Sequence, residues 1–188
     1  MNTATLINEI KQRIAEGESK EKIFSKYRSN VDKESRLAFL IASVASPERV
    51  AEHRKSHLTL VSLVFLLTLP MMWLAHYFVT EIQQQGGPLE WFFTACIGLL
   101  FPVINGFGMW RLRLHAFTNF LTFGFLFIVM TVITMQQHAI SLSLGIVAGL
   151  LAAIALLTYC VYVRSLLYPS VSLTGSVKKS VNGKYRFD

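Results

Sequence analysis

The chain has 188 residues, 53% of them apolar and 15% charged, with 18 Lys and Arg against 11 Asp and Glu for a formal net charge of +7. Its polar residues bracket long apolar runs instead of scattering through them, which excludes an ordinary water-soluble domain in which every surface helix keeps a wet face. A hydrocarbon core about 30 Å thick needs about 20 apolar helical residues to cross it, and four segments meet that length: 58–79, 91–110, 114–135 and 139–163.

Ahead of these runs, residues 1–56 carry eleven basic and eight acidic side chains and read as a small helical head. Leu6, Ile7, Ile10 and Ile14 recur at helical spacing, and Gly17 is placed to end that helix. Ser19 is an N-cap candidate for a second helix bearing Ile23, Phe24 and Tyr27, and Asp32 precedes a third with Leu37, Phe39, Leu40, Ile41 and Val44. Ser46-Pro47-Glu48-Arg49 has the N-cap, first-position Pro and first-turn Glu of a helix start. With no breaker before Pro70, this fourth helix is expected to run straight into the first span. So few helices bury only a small core, and the head is expected to pack on the membrane surface, on itself or on a partner. Its evenly mixed charge lacks the basic stripe that phosphate backbones require, so no nucleic acid is expected.

His53 and His57 stand four residues apart, a spacing two metal ligands can share. No third or fourth ligand accompanies them and Arg54 and Lys55 oppose a cation, so a solvated juxtamembrane face is the expectation, with no metal. The first apolar run follows more than fifty polar residues and is expected to be an anchor instead of a cleaved leader. Pro70 and Pro102 lie mid-span, where each deprives the carbonyl four residues earlier, at Leu66 and Gly98, of its donor; kinks are expected.

Arg111 and Arg113 are the only charges between Trp91 and Val163. They fall in the short link between the second and third spans, which must therefore be antiparallel neighbours. Asn105 and Asn119 lie seven residues either side of Leu112, at equal depth, and an amide in hydrocarbon needs a partner. An interhelical hydrogen bond between them is expected, with a shared polar pocket as the alternative. In the fourth span Ser141, Gly145, Gly149 and Ala153 recur every four residues, small side chains that admit another helix closely, either from the same chain or from a second copy. Cys96 and Cys160 fall toward opposite membrane faces and are read as small buried apolar side chains. His76 and His115, also at opposite depths, do not share a haem, and no cofactor is expected.

Residues 164–188 form a basic tail in which the apolar period shortens and Asn182-Gly183 is the favoured centre of a two-residue hairpin. An isolated hairpin is marginal in water, so it should dock on something. Lys178, Lys179, Lys184 and Arg186 are placed to meet lipid headgroups, as are Arg111 and Arg113.

Alternating spans put all 18 Lys and Arg on the side of both termini, eleven, two and five, and only Glu81 and Glu90 on the other. By the enrichment of cytoplasmic loops in cations, both termini are cytoplasmic. The expectation is an all-α integral membrane protein: a cytoplasmic helical head at 1–56, a four-helix transmembrane domain at 57–163 and a cytoplasmic tail at 164–188 with a short β-hairpin, in a bacterial inner (plasma) membrane. With no catalytic constellation in the sequence, the expected function is non-enzymatic, a scaffold, accessory or regulatory protein docking a protein partner at its cytoplasmic face. The alternative is a small transporter or pore-forming subunit.

Overall fold

The computed structural model describes residues 3–31, 33–67, 69–70, 100–137, 144–180 and 183–187. The described chain is mostly helical. In order it forms α1 (Thr3–Ala15), α2 (Lys20–Tyr27), a 3₁₀ turn (Arg28–Asn30), α3 (Glu34–Ala42), α4 (Pro47–Glu52), α5 (Arg54–Leu66), α6 (Leu100–Trp110), α7 (Leu114–Gln137) and α8 (Leu144–Leu167). Of the expected span residues, 68, 71–79, 91–99 and 139–143 lie outside the described residues, and with them His76, Trp91, Cys96 and Ser141. Among the described residues one helix, Val147–Leu167 with mean hydropathy 1.9, is long and apolar enough to cross a membrane, while the apolar stretches Leu100–Trp110 and Leu114–Val129 are shorter.

The head follows its apolar stripe closely. Leu6, Ile10 and Ile14 on α1, Ile23 and Tyr27 on α2, and Leu37, Ala38 and Ile41 on α3 are buried together, while Ile7 is half-buried and Phe39 exposed. Gly17 closes α1 at φ 84°, with Gly17 N donating to Ile14 O and Glu18 N reaching back to Arg13 O at 3.0 Å. That pair of bonds is a Schellman motif, whose left-handed residue is ordinarily Gly because a Cβ is crowded there. Ser19 caps α2, its side chain accepting from Lys22 N. Asp32 lies outside the described residues, and the N-cap of α3 is Lys33 without a side-chain bond.

The helix opened by Ser46 and Pro47 does not run straight on. It ends at Glu52, and His53 at φ −103°, ψ 18° turns the chain into α5. The bend has a reason in packing, because each side of it answers to a different neighbour. Arg49 Nη1 on α4 donates to Leu166 O at 3.4 Å, whereas His57 Nε2 on α5 donates to Met109 O at 2.9 Å. At its far end α5 stops at Leu66, the carbonyl for which Pro70 has no N–H to offer.

Helices α5 to α8 touch in sequence and around. Phe65 of α5 stands edge-on to Phe107 of α6, Phe101 of α6 stacks on Phe120 of α7, and α7 and α8 pack on each other, as do α8 and α5. Burial is concentrated at one end. Met109, Leu114, Phe117, Phe120, Cys160, Val163 and Leu167 are buried and share one continuous core with the head. Away from that end Phe123, Phe125, Leu126, Val132, Ile133, Val147, Leu151 and Ile154 are exposed.

Candidate functional site

The functional candidate grows from the buried end, where the α6–α7 turn, the bend at His53 and the chain after α8 converge. The α6–α7 turn is a second Schellman motif, with Leu112 N bonded to Met109 O at 2.8 Å and Arg113 N to Gly108 O at 2.9 Å. Its left-handed residue is Leu112 at φ 53°, although a non-Gly residue there costs about 1–2 kcal/mol. Two contacts hold the turn in place. The Tyr168 hydroxyl donates to Leu112 O at 2.6 Å, and Gly108 lies so close to α7 that a Cβ on it would stand 2.5 Å from the Ala116 Cβ. Tyr168 is buried against Phe117, which also faces the His57 ring, and burial pushes its phenol pKa upward.

From Tyr168 the chain turns back on the head. Arg164, almost fully buried near the end of α8, donates through Nη2 to Ser172 O at 2.7 Å and so fixes the start of the tail. The tail is formed by the isolated antiparallel bridges Val171↔Val177 and Lys179↔Tyr185. Of the expected turn Asn182-Gly183, Asn182 lies outside the described residues. Gly183 N donates to Ser180 O at 2.9 Å and Ser180 N to Lys184 O at 2.8 Å, and Gly183 is left-handed at φ 74°. The tail docks on the head. Phe187 is buried, and Phe187 and Tyr185 each place a ring centroid 5.4 Å from that of Phe24 on α2.

Between the α1–α2 turn, α4 and Phe187 lies a cleft of about 790 Å³. Its lining mixes carboxylates, Glu18, Glu21, Glu48 and Glu52, with Lys20, Arg49 and His53. Beside it, Arg13 joins Glu9 and Glu18 in ion pairs of 3.2 and 3.1 Å and donates to the Tyr27 hydroxyl, which itself donates to Glu9. The Tyr27 bond and then Arg13 hold the Glu9 pKa below its ordinary 4.5, while burial and the bond to Glu9 raise that of Tyr27 above 10.0. Among the described residues no group of three or more His, Cys, Asp or Glu is placed to hold a metal ion.

The remaining sequence candidates separate. His57 is buried on the Met109 carbonyl instead of lying on a solvated face, because the close crossing of α5 and α6 leaves it no water. Asn105 and Asn119 are not brought together. The Asn105 amide is buried and donates to Phe101 O of its own helix at 2.8 Å, and Asn119 is exposed. Equal depth fixed their height only; about 100° of rotation per residue turns Asn119 away from the buried Phe117 and Phe120. On α8, Gly149 is exposed with no atom within 4 Å of a Cβ built there, Ala153 is half-buried, Gly145 lies in the helix, and Ser141 is outside the described residues. Close approach of α7 and α8 falls instead at Gly124, where a Cβ would meet Leu157 Cδ2 at 2.6 Å. Arg111, Arg113, Lys178, Lys179, Lys184 and Arg186 are all exposed.

Sequence reasoning passed over Arg49, Arg164 and Tyr168. A lone Arg near the end of an apolar run and a Tyr before Pro169 look like interface residues, and their true partners are backbone carbonyls, which leave no mark in a sequence. No family model, no curated protein and no solved structure matches the chain.

Proposed function

We propose that the protein is a non-enzymatic multi-pass membrane protein whose α5–α8 belong to four spans forming a bundle, with head and tail joined as one cytoplasmic docking unit. A bacterial inner membrane with both termini inside is the setting this reading takes. The observation that carries it is the division of the surface. Exposed Leu, Ile, Phe and Val continue along α5 to α8 beyond the buried end, the kind of apolar surface that supports a lipid setting. The cations gather at the buried end, with Arg111 and Arg113 in the α6–α7 turn and more in the head and tail. Supporting the docking role, the head exposes Phe39 and the tail exposes Leu173, single apolar handles away from the spans.

The experiment is crosslinking in native membranes followed by purification in mild detergent, comparing the intact chain with Phe39→Asp and Leu173→Asp. A protein recovered with the intact chain and lost from at least one variant supports docking. Identical recovery from all three overturns it.

A further inference from the structure

The tail's register sorts its cations. With Val171 opposite Val177 and Lys179 opposite Tyr185, residue 178 stands across from 186, and 170 across from 178. The bonds Lys178 N to Ser170 O at 2.8 Å and Arg186 N to Lys178 O at 3.0 Å confirm both pairings. Alternate side chains of extended chain point to opposite faces. Val171, Val177, Tyr185 and Phe187 therefore share the face packed against the core, and Lys179 belongs with them, its Nζ 5.0 Å over the Tyr185 ring. Lys178, Lys184 and Arg186 share the other face, and all three are exposed.

This outer face lacks a counter-charge. Among the described residues 164–187 there is no Asp or Glu and no ion pair to Lys178, Lys184 or Arg186; the tail's one carboxylate, Asp188, lies outside the described residues. Lys178 and Arg186 are direct cross-strand neighbours, an arrangement of like charges that disfavours the pairing unless an anion lies across them. Position indicates which anion. The apolar helix ends at Leu167, Ser170 follows three residues later, and Lys178 is one strand spacing, about 4.8 Å, from Ser170. Tyr168 ties this point to the turn carrying Arg111 and Arg113. Lys178 thus stems from near the level at which the helix would leave the hydrocarbon, and Arg186, one strand spacing farther and about 10 Å from Ser170, stays close to one Debye length of such a surface.

We propose that Lys178, Lys184 and Arg186 form a binding face for the phosphates of anionic lipid headgroups, and that Lys179 is not part of it. The proposal rests on the membrane reading above. The full chain is reconstituted in nanodiscs of zwitterionic lipid with and without anionic phospholipid. The readouts are anionic lipid retained on detergent exchange and hydrogen-exchange protection of residues 176–187. Anionic lipid is expected to be retained and to protect the tail. Each cation contributes about fivefold near an anionic surface, so K178Q/K184Q/R186Q lowers anionic-lipid affinity on the order of 100-fold, while K179Q leaves it unchanged. An unchanged circular dichroism spectrum and elution volume establish that the variants fold. Equal retention by the triple variant, an equal loss in K179Q, or equal protection by inorganic phosphate in zwitterionic discs each overturns the proposal. Failure of the chain to enter either disc counts against the membrane reading itself, which separates the two failures.

Discussion

Leu112 shows how a residue unsuited to its backbone is kept there by its neighbours. A Tyr168→Phe variant removes the hydroxyl bonded to Leu112 O and is expected to lower stability in detergent by about 1 kcal/mol, measured as a fall in unfolding midpoint with helix content retained. An unchanged midpoint would show that the turn holds without it. Glycines give a sharper contrast. Gly108→Ala sets a Cβ against the Ala116 Cβ, neither of which can rotate away, so α6 and α7 must separate at a cost of about 1–3 kcal/mol. Gly149→Ala meets open space and should be neutral or stabilising by up to about 1 kcal/mol through helix propensity. Reversal of that order in thermal unfolding would refute the packing described. Gly17 as a helix stop was legible because only its own backbone freedom was involved. The left-handed Leu112 was not, since nothing in a Leu announces that a distant Tyr will hold its carbonyl. The Asn105 and Asn119 reading failed for a related reason: depth follows from counting residues, whereas facing depends on how the helices are rotated.

At the scale of elements, the head and tail depend on one another. Phe24→Ala removes the ring on which Tyr185 and Phe187 rest and is expected to cost about 1.5–2.5 kcal/mol, half a full core truncation because Phe24 is only half-buried. Limited proteolysis should then cut faster within 171–187 while α8 stays protected; an unchanged cutting rate would mean that the tail is held elsewhere. The α1–α2 pair carries a pH dependence of determinate sign. Glu9 has a lowered pKa in the fold, so its contribution is present above its unfolded value near 4.5 and is lost as pH falls through the folded one. Tyr27 has a raised pKa, so its contribution is present below its unfolded value near 10.0 and is lost as pH rises through the folded one. The head's melting temperature should therefore be flat between these limits and fall outside them, and Tyr27→Phe should flatten the alkaline fall. Head helices were legible because apolar spacing and local caps decide them. The bend at His53 and the register of the tail were not, because Leu166 O, Met109 O and Phe24 decide those from far along the chain.

For the whole molecule, the buried core and the exposed arginines of the α6–α7 turn lie at one end of α5 to α8, and exposed apolar side chains continue away from it. Under the proposed reading lipid covers this apolar surface, where a soluble protein would carry polar side chains. Composition made the apolar stretches of α5 to α8 readable, since runs of apolar residues are visible in the sequence directly. The joining of head, tail and helix ends into one core was unreadable, because the same amphipathic stripes could have met the membrane surface or another protein. The most direct test of four spans with both termini inside is labelling of intact cells by a membrane-impermeant maleimide, with the native cysteines replaced. The account predicts labelling of Gln85→Cys and none of Ser180→Cys until the cells are broken; labelling of Ser180→Cys in unbroken cells, or a chain that dissolves without detergent, would contradict it.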